Sequence, residues 1–134
     1  MLGNTKYITL EAAKKMMAAA EAEAQKNSWN VAIAIVDSGG SLILFQRLDE
    51  TQAGSVNVAV GKAATAVNFK RPTKVLEDMI NGGRSAFLRV EGITPLQGGL
   101  PVIVDGKCIG AVGVSGVQSH QDEQVAQAAI ESLR

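Results

Sequence analysis

The chain has 134 residues, with 13 Lys and Arg against 13 Asp and Glu, so its formal net charge at pH 7 is zero. This length is typical of one domain, and with a single cysteine we expect residues 1–134 to fold as one domain without disulfides. The neutral charge balance argues against nucleic acid or an anionic membrane as a partner. No apolar run approaches the roughly 20 residues that span a bilayer, and no secretory signal opens the chain, so a cytoplasmic protein is expected.

The first predicted element is an amphipathic helix from about Thr9 to Asn27. Small apolar residues and methionines recur on one side of it with helical spacing, and Glu and Lys occupy the other side. Thr9 is the expected N-cap, because a threonine hydroxyl can accept a hydrogen bond from a free N–H of the first turn.

A β-hairpin is predicted next, since two apolar runs, Val31 to Val36 and Ser41 to Phe45, flank a turn with two glycines. The first run is apolar at odd and even positions alike, so both faces of this strand must be covered. A three-layer α/β/α arrangement of the α/β (α+β) class follows from that requirement.

The middle of the chain predicts two helices, Ala53 to about Phe69 and Thr73 to Ile80, separated by Pro72. A weaker strand is predicted from Ala86 to Val90. A second hairpin and a last helix are expected to complete the fold: Pro101 to Asp105 and Lys107 to Val114 around the turn Asp105-Gly106, then Ser119 to Leu133 with an approximate capping box of Ser119 and Asp122.

Lys62 is the first candidate for chemistry, because it is the single charged residue between Thr51 and Phe69. A partly desolvated lysine can act as a general base or form a Schiff base, and beside a carboxylate it stays charged and can anchor an anion. The alternative is a side chain that reaches solvent along its aliphatic stem.

Two glycine loops flank the second hairpin and form a candidate anion site. Gly98 and Gly99 precede the hairpin, and Ser115 and Gly116 follow it, just before the last helix. Backbone N–H groups at such a position can hold a carboxylate or a phosphate, and the Ser115 hydroxyl adds a donor. Ordinary turn and packing glycines are the alternative, and neither loop matches a nucleotide-binding fingerprint.

His120 is the only histidine and lies beside the predicted start of the last helix. One histidine and one cysteine do not make a usual zinc site. As an axial ligand of haem, His120 competes with other possible donors, and a solvated histidine at a helix start is the alternative. The competing donors are Tyr7, Met16, Met17, Met79 and Cys108; we expect Cys108 to be a packing residue of its strand.

An ordered set of sequence blocks covers nearly the whole chain. They are Val36-Asp37 before Gly39-Gly40, Arg47 to Asp49, Lys62 to Ala66, Arg71 to Thr73, Gly98 to Pro101, Asp105-Gly106, and Ile109 to Gly116 followed by Asp122. This order resembles the GlcG/HbpS family, which also supplies the C-terminal domain of PduO-type corrinoid adenosyltransferases.

The resemblance implies a profilin-like fold, with a five-stranded antiparallel sheet between helices, and a homo-oligomer. Some members of the family bind haem, so haem is a possible cofactor. The matching blocks place the pocket at Lys62, Gly98, Gly99, Ser115 and Gly116. His120 lies outside those blocks and inherits no role from them.

Three functions are therefore considered. The first is a small-molecule binding protein that takes haem or a carboxylic acid, with Lys62 as the anion anchor and the backbone amides of the glycine loops around it. The second is a small-acid isomerase, hydratase or decarboxylase with Lys62 as base or Schiff-base partner and the glycine loops as an oxyanion site. The third is an oligomeric structural subunit without a ligand.

Overall fold

The computed structural model describes residues 1–134 and contains four α-helices, one 3₁₀-helix and four β-strands. In chain order they are α1 (Leu10–Lys26), β1 (Ala32–Asp37), β2 (Leu42–Arg47), α2 (Ser55–Phe69), α3 (Thr73–Asn81), the 3₁₀-helix (Ser85–Arg89), β3 (Gly99–Val104), β4 (Lys107–Ser115) and α4 (Ser119–Glu131). None of the helices has the length and apolar character required to cross a membrane.

The four strands form one antiparallel sheet in the order β2-β1-β4-β3. Both predicted hairpins are confirmed, and they lie side by side because β1 pairs with β4. Asp105 and Gly106 both adopt positive φ angles, 51° and 77°, as a two-residue turn that follows the twist of its strands requires.

Helices cover both faces of this sheet, so the three-layer prediction is confirmed as a mixed α+β fold. Helices α1 and α4 enclose a core of 18 buried residues on one face, whereas α2 packs on the other face over a core of eight that is mostly alanine. Gly113 of β4 allows the close approach of α2, since a Cβ at this position would lie 2.5 Å from the backbone nitrogen of Ala63. The close approach of α2 also carries Lys62 into the interior.

The predicted strand from Ala86 to Val90 is wrong, and the sheet has four strands rather than five. Residues Ser85–Arg89 form the 3₁₀-helix instead, and nearly all of this segment is exposed. A strand gains stability from a paired neighbour and a buried face, and this segment has neither. Its anchor is Phe87, whose ring lies 5.6 Å from that of Phe69. The profilin-like description stays a prediction.

The predicted N-terminal cap of α1 is confirmed, whereas the predicted capping box of α4 is wrong. Thr9 caps α1 as predicted, accepting a hydrogen bond of 3.0 Å from the backbone N–H of Ala12. At α4 the predicted pair of Ser119 and Asp122 is wrong: Gln118 and Gln121 form the capping box. Asp122 is unavailable for capping because its buried carboxylate accepts hydrogen bonds from the Nζ of Lys62 and the backbone N–H of Val117.

Candidate functional site

Lys62 lies inside the protein, on the face of α2 that packs against the sheet. Its side chain is 3% exposed, and its Nζ donates hydrogen bonds to the carbonyl of Val114 at 2.9 Å and to Oδ2 of Asp122 at 3.1 Å. The alternative in which Lys62 reaches solvent is therefore wrong. The carboxylate that pairs with Lys62 comes from α4 of the same chain.

Asp122 completes this buried pair at the first turn of α4. Its Oδ1 accepts a hydrogen bond of 3.1 Å from the backbone N–H of Val117, and its side chain is 2% exposed. Burial raises the pKa of Asp122 above its usual value, against the opposing effects of Lys62, the Val117 N–H and the nearby His120. An internal carboxylate thus occupies the place where the sequence predicts a bound anion.

The predicted glycines pack tightly around the same pair. Gly98 has a φ of 133°, and a Cβ there would lie 2.7 Å from the Nζ of Lys62. At Gly99 a Cβ would collide with the backbone carbonyl of Lys62, and the Gly99 N–H donates to Oγ1 of Thr73 at 2.9 Å. Close packing alone therefore explains why both positions are glycine, and no bound ligand is needed to account for them.

Ser115 and Gly116 lie at the end of β4, next to the Val114 carbonyl that binds Lys62. Ser115 pairs with Ala32 in the sheet and is buried, and a Cβ at Gly116 would collide with the carbonyl of Asn30. The structure therefore brings the predicted ligand-binding residues together around Asp122, but none of them lines any of the four grooves on the surface. Direct contact between these residues and a ligand stays a prediction.

His120 lies on the surface, two residues before Asp122, and its ring makes no hydrogen bond with the protein. It lines a groove of about 550 Å³ over the exposed side of α4, which we call the His120 groove. The apolar part of this groove comes from Pro72, Leu100 and Ala128. Its acidic part comes from Glu23, Glu123 and Glu131.

A second groove of about 350 Å³ adjoins the first, which we call the cationic groove. The two share Pro72, Leu100 and Gln127. The cationic groove adds three basic residues and three apolar ones: Lys70, Arg71, Arg134, Pro101, Ile103 and Ile130. Together the two grooves offer a free imidazole, an apolar floor and a group of cations.

The cationic groove was missed by the sequence analysis as a site. The adjacent Lys70 and Arg71 were its one visible signal, and Lys70 adopts a left-handed conformation with a φ of 55° that ends α2. Arg134 is more than sixty positions away in the sequence, and only the packing of α4 beside β3 brings it to the same surface.

The other possible haem donors, Tyr7, Met16, Met17, Met79 and Cys108, line neither groove. Met16 and Met17 are buried in the core, and Cys108 is half-buried with its Sγ 3.5 Å from the carbonyl of Gly110. Tyr7 is exposed on the N-terminal segment. No group of three or more His, Cys, Asp or Glu side chains has the geometry of a metal site.

The comparison with protein families decides the identity of the chain. A family model described as "Haem degrading protein HbpS-like" matches residues 8–131. The chain belongs to the HbpS-like family. Protein GlcG of Escherichia coli K12, a relative, is 46% identical over 108 residues, which are 81% of each chain.

Two solved structures share the fold of this chain. A double mutant of Streptomyces reticuli HbpS is 34% identical and superposes with a TM-score of 0.91, over 99% of this chain and 91% of that one. A structure described as a PduOC:heme complex is 30% identical, with a TM-score of 0.86 and 95% of both chains covered.

Proposed function

We propose that this HbpS-like protein is a haem-binding protein and that His120 is the axial ligand. The observation that carries the proposal is an unbonded, exposed imidazole in a groove that continues into a second groove with an apolar floor and three cations. The relative solved as a haem complex supports the choice of haem among small molecules. Haem bound in this way would supply an iron centre open to redox chemistry.

The charges around the grooves determine how haem would lie. Its two propionates are anionic, and the acidic residues of the His120 groove would repel them. Lys70 and Arg71 in the cationic groove would attract them and can form charge-assisted hydrogen bonds with carboxylates. The apolar side chains of Pro72 and Leu100, which both grooves share, would contact the porphyrin face.

In this proposal Lys62 and the glycine loops do not contact haem; they lie inside the protein and hold α4, the helix that carries His120. The bond between Lys62 and Asp122 holds the first turn of α4, two residues from His120. Gly98, Gly99, Ser115 and Gly116 give the buried pair the space and packing that it needs. The hypothesis of a small-acid enzyme requires Lys62 to meet a substrate, and its burial favours binding over that chemistry.

A haemin titration followed at the Soret band tests the proposal. We expect a saturable spectrum at one haemin per chain, and we expect His120→Ala to abolish its sharp form while leaving the circular dichroism spectrum unchanged. Tyr7→Phe is the control, because Tyr7 is an exposed alternative donor outside both grooves. A broad spectrum that does not saturate, or a spectrum that survives in His120→Ala, would overturn the proposal.

A second variant tests the orientation of haem. The double change Lys70→Gln and Arg71→Gln removes two cations and should weaken haem binding about tenfold, with the Soret maximum unchanged because the axial ligand remains. The double change Lys14→Gln and Lys15→Gln on α1 removes the same charge at residues that line neither groove, and it should leave the affinity unaltered.

We also propose that the protein assembles as a homo-oligomer through the open edge of β2. This edge strand carries no charge between Leu42 and Gln46, although exposed edges usually carry charge or proline that prevents pairing. Helix α2 packs over β1, β3 and β4, so it leaves β2 as the less covered strand. The antiparallel edge of a second copy is self-complementary to it.

A further inference from the structure

We propose that a third groove, separate from the haem site, binds a neutral polyhydroxylated small molecule such as a sugar or polyol. This groove, which we call the Trp29 groove, has a volume of about 420 Å³. It lies between the C-terminal half of α1, the segment that links α1 to β1, and the end of β2. It shares no lining residue with the His120 groove or the cationic groove.

Trp29 provides the flat apolar surface of this groove. It is the only tryptophan of the chain, and it is half-buried, with part of the ring packed against the core under α1 and the rest lining the groove. The Trp29 backbone is held by a hydrogen bond of 2.9 Å from its N–H to the carbonyl of Ala24. A fixed aromatic face is suited to contact the C–H face of a sugar ring.

Polar side chains surround this ring, and most of them have no partner in the protein. Gln25, Asn30, Arg47 and Asp49 are exposed residues that line the groove, and their side chains make no hydrogen bond or ion pair within the protein. Their amide, guanidinium and carboxylate groups are planar and present pairs of donors or acceptors. Such groups can bind two neighbouring hydroxyls of one ligand at once.

The charges in the groove select against anions. Arg47 is its single cation, whereas Glu21 and Asp49 are both acidic. Glu21 is held in place by a hydrogen bond of 2.8 Å from Gln46, so its carboxylate stays at the rim of the groove. A phosphate or carboxylate would meet net repulsion here, whereas hydroxyl groups can donate to the acids and accept from Arg47 and the amides.

The backbone at both ends of the groove adopts an uncommon conformation. Ser28 and Glu50 have φ angles of 59° and 70°, and they are two of the four residues other than glycine with positive φ in the chain. At Ser28 this is the usual left-handed residue after a helix C-cap, since it follows Asn27 at the end of α1. Both conformations turn the chain so that Trp29 and Asp49 face the same cavity.

The intrinsic fluorescence of Trp29 reports on this groove alone, because the chain has no other tryptophan. We would titrate the protein with D-glucose, sucrose, glycerol and myo-inositol, and follow the same mixtures by saturation-transfer NMR, which does not depend on the fluorophore. The comparison compounds are sodium acetate, an anion, and glycine, a zwitterion. We expect saturable binding of at least one neutral compound in the millimolar range, as suits an open groove.

Substitutions of residues that line the Trp29 groove test whether the neutral compound binds there. Asp49→Ala and Gln25→Ala should each weaken it, with Asp49→Ala giving at least about a tenfold loss because a hydrogen bond to a charged group is removed. Asp105→Ala, at the far hairpin turn, removes an exposed acid without touching the groove and should have no effect.

Three results would overturn the proposal: no binding of any neutral compound by either method, binding that Asp49→Ala leaves unchanged, or tighter binding of acetate or glycine. The Trp29 groove shares no residue with the proposed haem site. A failure to bind neutral compounds therefore does not contradict the haem proposal, and a failure to bind haem does not contradict the proposal for the Trp29 groove.

Discussion

The Nζ of Lys62 lies 3.1 Å from Oδ2 of Asp122, a residue sixty positions later in the chain, and both side chains are almost fully buried. Lys62 belongs to α2 on one face of the sheet and Asp122 to α4 on the other, so the bond joins the two helical layers beside the start of β3 and the end of β4. The hydrogen bonds to Val114 and from Val117 satisfy both charged groups further. A buried ion pair of this kind adds little net stability, because the cost of removing both charges from water offsets their attraction.

Removing one partner of this pair should be costly. Lys62→Met leaves the Asp122 carboxylate buried without its cation, and we expect the free energy of unfolding to fall by about 3–5 kcal/mol. Replacing both residues, as Lys62→Met with Asp122→Leu, should restore most of that loss because no buried charge remains. Urea unfolding followed by circular dichroism measures both variants. A loss below about 1 kcal/mol in the single variant would contradict the geometry.

Gly98 should tolerate no side chain, because its Cβ would lie 2.7 Å from the backbone carbonyl oxygen of Val114, which cannot move aside, and 2.7 Å from the Nζ of Lys62. Gly98→Ala is expected to lower the free energy of unfolding by about 2 kcal/mol or more. Gly83→Ala is the matched control: Gly83 also has a positive φ, of 112°, but its Cβ would meet nothing within 4 Å. Equal losses in the two variants would mean that backbone conformation alone explains the glycine at position 98.

The carboxyl of Asp122 should titrate above its usual value of 3.8, because burial outweighs the effect of the neighbouring cation. Between pH 3.8 and this raised pKa, the folded protein holds a proton that the unfolded chain has released. The contribution of Asp122 to the free energy of unfolding therefore falls as the pH rises through that window. The chemical shift of the Asp122 carboxyl carbon reports the midpoint. Lys62→Met should raise it further; a midpoint below 3.8 in the unmodified protein would refute the prediction.

A charge on the open edge of β2 should dissociate the assembly. Leu42 is 51% exposed, so Leu42→Lys adds a solvated cation to this edge at little cost to the folded monomer. Light scattering coupled to size exclusion should show an oligomer for the unmodified protein and smaller particles for Leu42→Lys. Leu133→Lys, an exposed apolar residue after α4, is the control and should keep the original mass. A monomer in the unmodified protein would refute the assembly itself.

Local patterns in the sequence were sufficient to predict most of the elements. The helix after Thr9, both hairpins and the break at Pro72 depend on spacing, caps and turn residues within a few positions of one another. The segment from Ala86 to Val90 failed because its short apolar run has the local character of a strand but finds no neighbour to pair with. Strand pairing is a tertiary property, and the run alone does not contain it.

The candidate site, too, was predicted in part from local sequence and in part only from the tertiary structure. From the sequence alone, Lys62 stands out as the single charge of a small-residue helix, and the glycine loops stand out by their number; both lie close together in the fold. Only the tertiary structure could show that Asp122 fills the space between them, because the two partners are sixty positions apart and lie on opposite faces of the sheet. The grooves at His120 and Trp29 depend on tertiary packing for the same reason. A groove forms where two elements that are distant in the sequence pack with a gap between them. No local pattern of residues encodes the position of such a gap.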